Sequence, residues 1–159
     1  DVIRKKTAAL FTASAEAGAI SAGAGREEVE KAALFGEMIG IAFQIKDDIF
    51  DYFSGEGIGK PTGNDMLEGK LTLPALYVLN HKKDPEACSL ALRIRSLEAT
   101  PEEIASFVEY VKREGGIEYA EQVMHDYRNQ ALSLLPDSAD ASVSEALTAY
   151  IDHVIERNK

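Results

Sequence analysis

Three aspartates, Asp47, Asp48 and Asp51, stand inside the run FQIKDDIFDYF, residues 43–53, among Ile45, Ile49 and Phe50. Carboxylates packed this closely repel: at about 4 Å and an effective dielectric near 20, each pair costs on the order of 4 kcal/mol. A cation removes that cost, and hard oxygens on adjacent turns suit Mg²⁺. The pattern is also that of a solvated acidic face closing a helix. A calcium EF-hand is excluded, since no frame offers oxygen ligands at its first, third and fifth positions with the required glycine and glutamate. Lys60, Asp65 and Lys70 follow in a stretch carrying Gly55, Gly57, Gly59, Gly63 and Gly69. Glycine lets backbone approach a ligand, and lysine acts as a point charge toward phosphate. A lone lysine is ordinarily a surface group; carboxylates, a cation and lysines together are what holding a diphosphate requires. The spacing G-x-x-x-x-G-K-[ST] is absent, which argues against a nucleotide loop.

The aspartates need a helix to align them, and residues 27–53 read as one. At about 100° per residue, Asp51 lies about 40°, Gln44 about 60° and Asp48 about 100° from Asp47, with Gly40 and Gly36 within about 20° of it. Ile45, Met38, Ile49, Phe35 and Ile39 fill the opposite, packed face. The two glycines each cost about 1 kcal/mol relative to alanine, and the stripe they share with Gln44 and Asp47 is expected to face a cavity. Helices are also expected over residues 1–22, 73–80 and 85–97, the last capped by Asp84 with Pro85 at its first position. Thr100–Glu103 reads as a capping box, residues 117–135 as a further helix, and Ser142–Glu145 as the cap of a last one. The fold class is all-α, six or seven helices, with residues 54–69 as loop.

Bulk properties narrow the function. With 45% apolar residues in 159, the chain is globular and long enough for a real core. The net charge of −10, from 17 basic against 27 acidic residues, argues against a nucleic-acid surface. One cysteine, Cys88, rules out an intrachain disulfide and reads as a small core residue. No apolar run approaches the roughly 20 residues of a membrane span. His81, His125 and His153 are scattered and read as surface groups; Tyr110, Tyr119, Tyr127 and Tyr150 are expected in core or interface.

Taken together, GIAFQIKDDIFDYF and GKPTGNDMLEGKLTLPALYVL resemble the C-terminal half of trans-isoprenyl diphosphate synthases, the polyprenyl synthetase family that includes farnesyl and geranylgeranyl diphosphate synthases. KTAALFTASAEAGAI is similar to the family's Lys-Thr helix, and the match runs to about residue 80. The resemblance implies a helical bundle of the isoprenoid synthase type around a central cavity. It implies that Asp47, Asp48 and Asp51 bind Mg²⁺ bridging to an allylic diphosphate, with Asp65 supporting that metal site. Lys6, Lys60 and Lys70 would contact the diphosphate, and Thr7 and Gln44 would turn oxygens toward the allylic carbocation. The second substrate would be isopentenyl diphosphate, the setting the cytoplasm, and the intact parent a homodimer.

The departures from the family matter as much. Members carry a first Asp-rich motif followed by arginines upstream, and position 1 here falls just before the Lys-Thr helix. The 159 residues therefore read as the C-terminal part of a single isoprenoid synthase domain, inactive by itself, from a parent that is an enzyme. A class I terpene cyclase and a non-catalytic helical partner subunit are the rival readings; the G-K-P and D-x-x-x-G-K loop favours the chain-elongating synthase.

Overall fold

The computed structural model describes residues 3–53, 62–136 and 140–156, and among them there are only helices and their connections. A π-helical turn, Arg4–Ala8, runs straight into α1, Ala9–Ser21. It is followed by α2 (Arg26–Phe50), α3 (Asn64–Leu67), α4 (Leu73–Lys82) and α5 (Pro85–Arg95). Then come α6 (Pro101–Arg113), α7 (Gly116–Ser133) and α8 (Ala141–Glu156). The helix beyond the expected seven is α3, a single turn inside the glycine-rich stretch read as loop. Among the described residues no helix is long and apolar enough to cross a membrane.

Helix starts follow from local side-chain chemistry. The Asp84 carboxylate accepts from the amides of Glu86 and Ala87 at 2.9 and 3.3 Å, with Pro85 behind it. The capping box of α6 is reciprocal: the Glu103 amide donates to the Thr100 hydroxyl at 3.3 Å, and the Thr100 amide to the Glu103 carboxylate at 2.8 Å. The start of α8 corrects the expectation. Asp140 takes both the amide (2.8 Å) and the hydroxyl (2.6 Å) of Ser142, and Ala141 is already helical. A carboxylate outcompetes a hydroxyl as acceptor, so the serine donates instead of capping.

The described residues of Asp1–Lys46 and Val123–Asn158 form one compact unit, and those of Asp47–Gln122 another. In the first, α2 buries Met38, Ile41, Ala42 and Ile45, α7 buries Met124 and Ala131, and α8 buries Ile151. Arg128 Nε donates to Asp152 at 2.7 Å, tying α7 to α8. The expectation of a cavity along the glycine stripe holds only at Gly36, which borders a groove; elsewhere the first helix closes in. A Cβ on Gly40 would sit 2.6 Å from Ala8 Cα, and one on Gly36 2.4 Å from the Phe11 carbonyl oxygen. What lies against the two glycines is the chain's own first helix. Phe43, half-buried, packs its ring 5.4 Å from that of Phe11.

In the second unit α6 is the centre, burying Ile104, Phe107, Val108 and Val111 against Ala91 and Ile94 of α5, Val78 of α4 and Met66 of α3. The Arg93 guanidinium pairs with both oxygens of Glu103, one of them at 3.0 Å, fixing α5 to α6. His81, His125 and His153 are exposed as expected, and Cys88 is half-buried. The expectation for the tyrosines fails as to core: Tyr110 and Tyr127 are half-buried and Tyr119 and Tyr150 exposed. The sealed tyrosine is Tyr52, which is 1% exposed.

Candidate active site

Thr7 sits in the π-helical turn, a geometry frequent at functional sites because the extra residue re-aims side chains. Its hydroxyl donates to Gln44 Oε1 of α2 at 2.6 Å. The two residues paired by the sequence reading are thus in contact across 37 positions of chain. The contact also sorts their chemistry: the Gln44 oxygen accepts the threonine proton, and the Thr7 oxygen keeps its acceptor lone pairs. Lys6, one residue earlier, is exposed.

The carboxylates close α2. Asp48 is buried at 6% exposure, while Asp47 and Asp51 are half-buried. Asp51 has a specific task. Its two carboxylate oxygens accept from the amides of Asn64 (2.9 Å) and Asp65 (3.0 Å), and its main-chain carbonyl accepts from Gly63 at 2.8 Å. Asp65 therefore lies in the first turn of α3 beneath Asp51. Its carbonyl accepts from the Lys70 amide at 2.8 Å, and its carboxylate lies 3.9 Å from the Lys70 ammonium. That ammonium is hydrogen-bonded to Glu68, which together with the fields of Glu68, Asp65 and Asp51 raises its pKa. Lys60 lies outside the described residues.

Tyr52 is the residue that sequence reasoning passed over. One turn beyond Asp48, it carries a hydroxyl sealed from solvent that lies beside Thr72 and the Ala75 amide without meeting either at hydrogen-bond geometry. Burial, with the nearby charges of Asp51 and Asp48, pushes the phenol well above its ordinary 10. The only signal in the sequence was the i, i+4 spacing from Asp48, which an apolar reading of DYF conceals.

Among the described residues no three His, Cys, Asp or Glu side chains converge to hold a cation unaided. That excludes an all-protein cage there. Mg²⁺, however, ordinarily takes one or two carboxylates and completes its shell with water and phosphate oxygens. Asp47 and Asp48, hard donors at the end of one helix, fit that pattern.

Residues 1–111 match the model of the polyprenyl synthetase family. A short chain isoprenyl diphosphate synthase of Methanothermobacter thermautotrophicus is 38% identical, the match covering 99% of this chain and 48% of that protein. The crystal structure of geranylgeranyl pyrophosphate synthase from Bacteroides thetaiotaomicron is 54% identical, with a TM-score of 0.92 over 99% of this chain and 51% of that one. A polyprenyl synthase from Caulobacter crescentus CB15, crystallised in complex with calcium and isoprenyl diphosphate, is 32% identical at a TM-score of 0.87, covering 99% and 48%. The fold is that of the isoprenoid synthases, and the alignment falls on roughly the C-terminal half of these enzymes. The chain spans about half the length of the curated relatives it matches. The likeness includes α7 and α8, where the sequence motifs gave no more than helical character.

Proposed function

The chain belongs to the polyprenyl synthetase family, and from that premise we propose that the whole protein is a trans-isoprenyl diphosphate synthase. It joins isopentenyl diphosphate head-to-tail to an allylic diphosphate. The observation that carries this reading is the Thr7–Gln44 contact at 2.6 Å. Acceptor oxygens for a carbocation and carboxylates for a cation-bound diphosphate are the two things an ionising allylic diphosphate needs.

As the allylic C–O bond breaks, its electron pair leaves with pyrophosphate and a delocalised cation remains. Lys6, Lys60 and Lys70 offset the charge growing on the leaving group, a service largest where it is present only in the transition state. Lys70 exchanges Glu68 for the diphosphate; both side chains are 54% exposed, and surface pairs are worth little. Asp47 and Asp48 would hold Mg²⁺, which when bound supplies Lewis-acid neutralisation of the pyrophosphate. Gln44 fixes the Thr7 proton, leaving the Thr7 lone pairs for the cation without a reactive anion beside it. The double bond of isopentenyl diphosphate then forms the new C–C bond, and the proton it releases passes to the departing pyrophosphate.

On this reading the 159 residues are the C-terminal part of one isoprenoid synthase domain, and the whole protein is a homodimer in the cytoplasm. Calorimetry of the whole protein tests it: pyrophosphate or a bisphosphonate should bind more tightly with Mg²⁺ than without. Binding that ignores Mg²⁺ would remove the assignment.

A further inference from the structure

We infer that Asp51 is a positioning residue, the clamp on the first turn of α3, and that Asp47 and Asp48 serve the cation without it. The part concerning the cation rests on the function proposed above; the clamp stands on geometry alone. The N-cap position of α3 is Gly63, which has a left-handed φ of 77° and no side chain to accept an amide. Nor is there space for one, since a Cβ there would lie 2.9 Å from Ile104 Cγ2. The helix start must therefore find its acceptors elsewhere. Three successive amides, those of Gly63, Asn64 and Asp65, all donate to Asp51, to its carbonyl oxygen, Oδ1 and Oδ2 respectively. An ordinary cap is local, within three residues; these side-chain bonds bridge 13 and 14 positions.

With an amide on each oxygen, the Asp51 carboxylate is oriented by α3 and its outward negative potential is reduced. What it holds in place is useful: Asp65, whose amide it accepts, and through the Asp65 carbonyl the backbone of Lys70. The third aspartate of the motif thus sets the acid and the lysine beyond it.

The test uses the whole protein with Asp51→Asn, Asp51→Ser and Asp47→Asn. It reads amide hydrogen exchange at Asn64 and Asp65, and the Mg²⁺ concentration that half-saturates metal-dependent pyrophosphate binding. Asparagine keeps one acceptor oxygen and serine is too short to reach. Exchange should therefore accelerate at one of the two amides in Asp51→Asn and at both, at least about tenfold, in Asp51→Ser, while α6 stays protected. The Mg²⁺ half-point should move at least about tenfold in Asp47→Asn and clearly less in the Asp51 variants, whose effect reaches the cation only through Asp65 and Lys70. Unchanged exchange at Asn64 and Asp65, or protection lost equally across α6, would overturn the clamp. A Mg²⁺ shift in Asp51→Asn as large as that of Asp47→Asn would overturn the division of labour. Should the unsubstituted protein bind pyrophosphate without regard to Mg²⁺, the proposed function falls, and the exchange data still decide the clamp.

Discussion

At the scale of residues, neighbouring carboxylates at the end of α2 and just beyond it have unlike environments. Asp48 is buried, Asp47 is half-buried, and Asp51 is committed to the amides of α3. Substitution should separate them. In the whole protein Asp47→Ala is expected to lower kcat by on the order of 10²-fold or more, because it removes a group used while charge separates. Glu102→Ala, on the exposed side of α6, should stay close to unsubstituted turnover. Steady-state kinetics of the two variants side by side makes the check, and equal small effects would reduce the motif to surface charge.

At the scale of elements, the approach of the first helix to α2 depends on Gly36 and Gly40. Gly40→Ala would place its Cβ against the backbone of Ala8, which cannot swing aside as a side chain does, and should cost about 1–3 kcal/mol. Gly18→Ala on α1 meets nothing within 4 Å and should instead stabilise by about 0.4–1 kcal/mol. Denaturant unfolding of both variants reads the contrast. The same helices show what a sequence can disclose. Asp84 and Thr100 were legible as caps because a cap is decided within three residues. The glycine stripe was legible as a stripe, yet angular position on a helix does not say which neighbour fills it. The π-helical turn at Thr7 has no sequence signature, and the Asp51 clamp joins residues too far apart in the chain for any local pattern. At α8 the local rule misled, because Asp140 competes with Ser142 from two positions away.

At the scale of the whole molecule, α1 buries none of its residues fully. Leu10 is 72% exposed beside a groove of about 300 Å³ lined by Phe11, Phe35, Ile39 and Tyr150. Apolar surface of this kind favours association. Produced alone, the 159 residues are expected to self-associate, and Leu10→Glu should weaken that association in sedimentation velocity. The isolated chain should not incorporate labelled isopentenyl diphosphate. Sustained product from a clean, monomeric preparation, checked by intact mass, would overturn this expectation.

Tyr52 makes the molecule its own optical gauge. The chain has six tyrosines and no tryptophan, and the other five reach solvent at least in part. In an alkaline titration followed by tyrosinate absorbance, Tyr52 should stay silent for as long as the fold persists. Its phenol is held neutral in the folded state, whereas the unfolded chain loses that proton near pH 10. Above that pH the unfolded state binds fewer protons, so stability falls as pH rises. The Tyr52 tyrosinate should therefore appear only with loss of the helical circular dichroism, as one concerted step. A Tyr52→Phe chain should lack that last increment of absorbance and keep its helices to higher pH. If all six ionise together in the folded protein, Tyr52 is not sealed.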